Sequence, residues 1–145
     1  MTIKVRFDKL IEVKENLLSE KKKELQYTVS SFEMISQEII TIEEDIKRNY
    51  AQLSLVVLDS NEVYVLREHI IWLEAKKSTL LKEKDKLEKI INSLKTELAH
   101  ILKEIKMLET LKSKALYSLK KTISRKEQKK LDELALRLNL KSYQR

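Results

Sequence analysis

The sequence contains no glycine, no proline and no cysteine, and only 6% of its 145 residues are aromatic. Without glycine or proline, the chain has no strong interrupter of a helix. Without cysteine, a disulfide framework and any thiolate-ligated metal are excluded. The residues that are present are 37% charged and rich in Leu, Ile, Lys and Glu. Such a composition is typical of long helices and coiled coils rather than of a compact globule.

Targeting and catalytic motifs are also absent from the sequence. Residues 1–10 carry several charges and no apolar core, unlike a signal peptide, and the apolar run LVVL is far too short to span a bilayer. His69 and His100 are far apart and belong to no metal-ligand pattern, and a Gly-rich phosphate loop cannot be built without glycine. We therefore expect a soluble, cytoplasmic protein that is not an enzyme, with no catalytic, cofactor-binding or metal site.

Apolar residues recur every seven positions in two series, which predicts supercoiled helices. The predicted fold class is all-α, with two long helices forming an antiparallel coiled-coil hairpin whose second helix is longer. The whole chain, 1–145, is then one domain. The first series is Ile11, Leu18, Leu25, Phe32, Ile39, Ile46 and Leu53; the second is Leu66, Leu73, Leu80, Leu87, Leu94, Ile101, Leu108 and Ala115.

The regular pattern lapses in LSLVVLDSNEVY, where Asp59 is a candidate helix N-cap with Glu62 three residues later, and Ser60 is the alternative cap. We predict helix one at about 3–57, a turn at about 58–61, helix two at about 60–138, and a short tail at 139–145. One continuous helix is the alternative. In the hairpin, facing residue numbers sum to 119, so that Ile39 meets Leu80 and Ile46 meets Leu73.

Between these apolar layers, the predicted register sets one lysine against one apolar residue, as in Ile42 with Lys77 and Lys14 with Ile105. A lysine stem can lie along an apolar neighbour while its ammonium group stays in water. Such layers weaken the seam but help to fix its register. We expect a thin, moderately stable hairpin, and association of two hairpins into a four-helix bundle remains open.

Positive charge is concentrated at the end of the chain. Residues 110–145 contain eleven Lys/Arg and three Asp/Glu, a net charge of +8, whereas residues 1–109 carry −1. In the predicted register helix one ends opposite Leu116, yet leucines continue at helical spacing beyond it. An apolar stripe without an intramolecular partner usually marks an interface.

A second predicted surface lies near the hairpin turn. Ile71 and Trp72 point away from the seam, and Tyr64 and Val65 lie one heptad earlier, on what we take to be the same outer side. Aromatic residues on an outer face often anchor interfaces. Packing around the turn is the alternative interpretation.

The basic tail could also serve DNA or an anionic membrane. A basic zipper would place its basic region before a parallel seam, whereas here it follows the seam and is broken by Glu127, Asp132 and Glu133. The tail stripe has no Trp or Phe to anchor it in a lipid surface. We therefore expect no nucleic acid and no direct membrane insertion, although a basic coiled coil that binds nucleic acid remains an alternative.

Both ends of the sequence resemble the FliJ family of flagellar export stalk proteins. The opening VRFDKLIEVKENL is similar to the family's N-terminus, and the closing RKEQKKLDELALR is similar to its C-terminal signature. The middle of the chain is generic coiled coil. The stalk of a virulence-type injection system is the nearest alternative.

The resemblance implies an antiparallel coiled coil similar to the central stalk of rotary ATP synthases, placed at the cytoplasmic face of the flagellar base. Its expected partners are the hexameric flagellar export ATPase, the cytoplasmic domain of the export-gate membrane protein FlhA, and export chaperones. The candidate ATPase contacts are Leu119, Ile123, Arg125, Lys126, Gln128, Lys129, Asp132, Glu133 and Arg137.

For the export gate, the resemblance points to Tyr50 and Leu73, which match positions associated with gate binding. The family commonly has an aromatic residue near His69 and a tyrosine near Leu66, and this chain has neither. We expect Ile71 and Trp72 to take their place. The candidate gate contacts are therefore Tyr50, Tyr64, Ile71, Trp72 and Leu73.

Overall fold

A computed structural model describes residues 2–55 and 57–143 of the chain. These residues form two helices and no strand. Helix α1 spans Ile3–Leu55 and helix α2 spans Ser60–Tyr143. The second helix is the longer, and the two form a helical hairpin, which confirms the predicted fold class.

Both helices begin at a side-chain cap. The Thr2 hydroxyl accepts a hydrogen bond from the Val5 amide at 3.3 Å, and the Asp59 carboxylate accepts one from the Glu62 amide at 2.8 Å. Each bond satisfies a first-turn amide that has no partner within its helix. The prediction of Asp59 as the N-cap of helix two is confirmed.

The predicted helix ends need correction. Helix α1 ends at Leu55 rather than at about 57, whereas α2 begins at Ser60 as predicted, so the overlap of the predicted turn with 60–61 belongs to the first turn of α2. Helix α2 continues to Tyr143 rather than ending at 138, since no Gly or Pro follows to stop it. The remainder of the predicted tail, 144–145, lies outside the described residues.

The chain divides into two compact units. We call Met1–Leu18 with His100–Arg145 the terminal unit, and Ser19–Ala99 the tip unit. In the terminal unit, Ile11, Ile101 and Ile105 form a buried cluster. In the tip unit the buried cluster consists of Ile39, Ile42, Leu73 and Leu80, with Ile35 and Ile46 packed against it.

Within each unit the helices pair antiparallel in the predicted register. In the tip unit Lys21 binds Glu97 and Lys77 binds Glu43; in the terminal unit Lys14 binds Glu104 and Lys112 binds Asp8. These residue numbers sum to 118 or 120, on either side of the predicted 119.

The core is thin, as two helices can cover one another on one side only. Its most buried side chains, such as Ile39 and Leu73, keep 4% of their surface exposed. Ile70 and Ile91, which the predicted series did not include, are buried as well. The register sets them against Asn49 and Thr28, so no apolar pairing marked them in the sequence.

Candidate interaction surfaces

The last part of α2 has no covering side chains from α1. Seam positions recur along α2 at spacings of three and four residues as far as Leu116, which is half-buried. From Tyr117 to Leu140 every side chain is exposed. The prediction that the seam ends near Leu116 is confirmed.

This exposed segment, which we call the tail (residues 117–140), has an apolar stripe on one side. Leu131, Leu134 and Leu138 follow the i, i+3, i+7 spacing of a single helix face and are 53–67% exposed. Leu119 and Ile123 continue apolar surface toward the seam and are 44% and 49% exposed. Large apolar side chains left in water along a helix make a docking face.

The polar members of the predicted ATPase site surround this stripe. All are exposed on α2: Arg125, Lys126, Gln128, Lys129, Asp132, Glu133 and Arg137. The Gln128 amide donates a hydrogen bond to Asp132 at 3.2 Å, one helical turn later. Ile123, Lys126 and Lys130 line one shallow concavity with Glu127. The basic side chains are thus presented by one helix and not gathered into an enclosed site.

The predicted gate site divides into two flanks of the tip unit. Successive residues of a helix differ by about 100° in direction, so Ile71 and Trp72 diverge. Ile71 lines a groove with Tyr50, Arg67 and Glu74. Tyr64 precedes Ile71 by seven residues and so lies on the same face of α2. We call Tyr50, Tyr64 and Ile71 the Tyr50 flank.

Trp72 lies on the other side of α2, with Val65 seven residues before it. Its ring stacks on the His69 imidazole with 5.9 Å between centroids, and the Lys76 ammonium lies 5.2 Å from the ring centroid. Val65 lines a separate groove with Gln52 and Glu62. We call Val65, His69 and Trp72 the Trp72 flank. The expectation that Tyr64, Val65, Ile71 and Trp72 share one outer side is therefore wrong.

Leu73 is a core residue. Its side chain is 4% exposed and packs in the tip-unit cluster with Ile39 and Leu80. A partner cannot reach it while the helices are paired, so it can only support neighbouring contact residues. Tyr50, Tyr64, Ile71 and Trp72 are 49–65% exposed and are accessible.

Tyr50 is hydrogen-bonded to the opposite helix. Its hydroxyl donates a hydrogen bond to the Glu74 carboxylate at 3.2 Å. The negative charge of Glu74, and then this hydrogen bond, raise the pKa of the Tyr50 hydroxyl. The phenol therefore stays protonated and serves as a fixed donor on its flank.

The seam lysines find partners that the sequence did not reveal. Four of them bind carboxylates of the facing helix, and the Lys84 ammonium lies 5.3 Å from the Phe32 ring centroid. The hydrogen bond that Lys21 donates to Glu97 is the largest of the effects that raise the pKa of Lys21. Hydrogen bonding from Lys14 is the largest of those that lower the pKa of Glu104. These ion pairs and the cation–π contact hold each seam lysine against one particular layer of the seam.

The histidines are surface residues, as expected. His69 is exposed beside Trp72, and His100 Nε2 lies 2.6 Å from the Glu104 carboxylate. Within residues 2–55 and 57–143, no three His, Asp or Glu side chains are grouped as metal ligands. Across the same residues, neither helix contains a stretch that is both long and apolar enough for a membrane span.

Comparisons with sequence models of protein families, with curated proteins and with solved structures give no match. The function proposed below is therefore based on the surfaces of this chain and on the resemblance of its two end segments.

Proposed function

We propose that this protein is a non-enzymatic central stalk of the flagellar type III export apparatus, coupling the hexameric export ATPase to the export gate. The observation that supports it best is the tail. Helix α2 continues past its last contact with α1 near Leu116, and every side chain from Tyr117 to Leu140 is exposed. A helix with an uncovered leucine stripe needs a partner outside the hairpin.

The tail suits the central hole of an ATPase ring. It presents Leu131, Leu134 and Leu138 on one face, and its seven basic and three acidic side chains give it a net charge of +4. A single exposed helix can enter a space too narrow for a pair of helices. We propose that the leucines of the tail contact the ring and that the charged side chains orient the tail within it.

The gate contact is proposed for the tip unit, through the cytoplasmic domain of FlhA. The Tyr50 flank is the first choice, because Tyr50, Tyr64 and Ile71 are exposed on one side around the Tyr50–Glu74 hydrogen bond. Trp72 is the candidate for a second contact on the opposite flank. Handling of export chaperones, and a place at the cytoplasmic face of the flagellar base, belong to the same proposal.

The stalk of a virulence-type injection system remains the nearest alternative, since only the two end segments favour the flagellar one. A nucleic-acid-binding coiled coil is supported by the basic tail alone. It would show retention on DNA that weakens steeply with salt, in proportion to the number of phosphates bound.

The test is activation of the export ATPase by the intact chain and by a chain truncated after Leu119. We expect the truncated chain to keep its helicity per residue, because the residues removed make no seam contacts, and to lose activation. Equal activation by both chains would refute the assignment of the tail.

A triple substitution separates the effect of the leucine stripe from the effect of chain length. Replacing Leu131, Leu134 and Leu138 with Ala should lower activation about tenfold or more, as expected for truncating the centre of an interface. The matched control replaces Leu102 and Met107 with Ala. These two residues are similarly exposed on α2 but lie before the tail, so activation should be unchanged.

A further inference from the structure

Two exposed faces of α2 carry opposite charge. Residues 59–76 contain four acidic side chains and two basic ones, including the Lys76 that lies over the Trp72 ring, a net charge of −2, whereas the tail carries +4. Both segments are helical apart from Asp59, which caps α2. The charge difference thus belongs to two defined surfaces of one chain.

The first of these surfaces combines acids with large apolar side chains. Glu62, Val65, Glu68 and Trp72 follow one another at spacings of three, three and four residues, so they lie along one side of α2. All four are exposed, and Trp72 is 56% exposed. We call these four residues the acidic face. It belongs to the tip unit.

The second surface also combines charged and large apolar side chains, but its charges are positive. Leu131, Leu134 and Leu138 form a stripe flanked by Lys130 and Arg137, which lie four residues before and three residues after Leu134. All five side chains are exposed. We call them the leucine face. It belongs to the terminal unit.

We infer that the leucine face of one chain binds the acidic face of a second copy of the same chain. The leucines cover Trp72 and Val65, and Lys130 and Arg137 pair with Glu62 and Glu68. The inference does not rest on the proposed function.

A second copy fits these faces for two reasons. The two faces are complementary, because both carry apolar residues while their charges are opposite. Complementary charge favours encounter and rejects like-charged partners. Each face also repels its own kind, which disfavours tail-to-tail and tip-to-tip pairing.

The first test is sedimentation of the full chain at low salt, with two charge-reversed variants. One carries Glu62→Lys and Glu68→Lys, the other Lys130→Glu and Arg137→Glu. We expect the unaltered chain to associate with rising concentration, and each variant alone to bind itself about tenfold more weakly or worse. An equimolar mixture of the two variants should associate again, because each reversed face then meets an opposite charge.

The control matched to the Glu62→Lys and Glu68→Lys variant carries Glu33→Lys and Glu88→Lys, which raise the net charge equally at exposed positions outside both faces. It should associate as the unaltered chain does. Raising the salt to about 1 M, where the screening length is about 3 Å, should weaken all of these associations. Circular dichroism of each variant confirms that it remains helical.

The second test uses Trp72, which is the one tryptophan in the sequence. A chain with Trp72→Phe is dark at tryptophan wavelengths but keeps its leucine face. Titrated into a trace of the unaltered chain, it should shift the Trp72 emission to shorter wavelength as leucines cover the ring. A dark chain that also carries Lys130→Glu and Arg137→Glu should give no shift.

Three results would each overturn the inference. The first is a chain that stays monomeric at low salt up to about 100 µM, a concentration at which a contact of about 5.5 kcal/mol is half-saturated. The second is no recovery of association in the mixture of variants, and the third is association that leaves the Trp72 emission unchanged. None of these results bears on activation of the ATPase, which is measured on the truncated chain and the leucine variants.

Discussion

Trp72 and Leu73 are neighbours in sequence with opposite environments. Trp72 extends into solvent between His69 and Lys76, whereas Leu73 packs against Ile39. A substitution at one of them tests a surface, and at the other it tests the core. A loss of binding by a Leu73 variant would therefore reflect a damaged hairpin, unless its stability had been measured as well.

For this pair we predict a large difference in stability. Leu73→Ala should lower the free energy of unfolding by about 2–5 kcal/mol, because it leaves a cavity in the tip-unit core. Trp72→Ala should cost less than about 1 kcal/mol, since the ring is mostly exposed, and should weaken gate binding. Urea unfolding followed by circular dichroism measures both. A cost above about 2 kcal/mol for Trp72→Ala would show that Trp72 is a core residue.

Glu104 gives the hairpin a dependence on acid. Lys14 donates a hydrogen bond to its carboxylate, and His100 lies beside it on α2, so the pKa of Glu104 is lowered from its ordinary value. A lowered carboxylate pKa stabilises the folded state above the ordinary value. This stabilisation disappears as the pH falls through the lowered value.

We therefore predict that Glu104→Gln flattens the pH dependence of stability. The unaltered chain should lose more free energy of unfolding between pH about 5 and pH about 2 than the variant does. The control is Glu88→Gln, a change at an exposed acid elsewhere on α2, which should follow the unaltered chain. Parallel curves for Glu104→Gln and the unaltered chain would contradict this role of Glu104.

At the scale of the element, the start of α2 depends on one carboxylate. Asp59 accepts the Glu62 amide through its side chain and the Val63 amide through its carbonyl. We predict that Asp59→Ala lowers the free energy of unfolding by about 1 kcal/mol, whereas Asp59→Asn, which keeps the acceptor, costs little. Thermal unfolding of both variants checks this. Equal losses would mean that charge rather than capping stabilises this end.

The sequence predicted the helices better than their flanks. A seven-residue period identifies the side of each helix that is buried, so Ile39, Leu73 and Leu80 were expected in the core. Pairing two such sides across the polar turn gave the register. Both inferences need only the positions of apolar residues along the chain.

The flanks could not be predicted in the same way. Whether Tyr50 lies beside Ile71 or beside Trp72 depends on how the second helix is placed around the first, and the apolar pattern does not specify this. The acids that bind Lys14 and Lys77 lie at such flanking positions, so they were missed for the same reason. All of the candidate gate residues except Leu73 are exposed, but the prediction that they form one surface was wrong.

For the whole molecule, the tail should differ in dynamics from the paired part of α2. A helix without tertiary contacts opens easily, since most helical stability in proteins comes from packing. We predict that backbone amides in 120–140 exchange about a hundredfold faster than those in 70–105. Hydrogen exchange with mass spectrometry measures this at low protein concentration and high salt, where self-association is suppressed. Equal protection would mean that something covers the tail.

The connection between the helices has one more consequence. Asp59 caps α2 by accepting a hydrogen bond from the Glu62 amide, and the described residues include no backbone with positive φ. The described contacts that join the two helices are the apolar seam, the lysine ion pairs and the Tyr50–Glu74 hydrogen bond. A chain cut between Leu55 and Asp59 keeps all of these contacts. We therefore expect the two helices, expressed as separate chains, to pair with each other once their concentration replaces the effective concentration that the covalent link supplies.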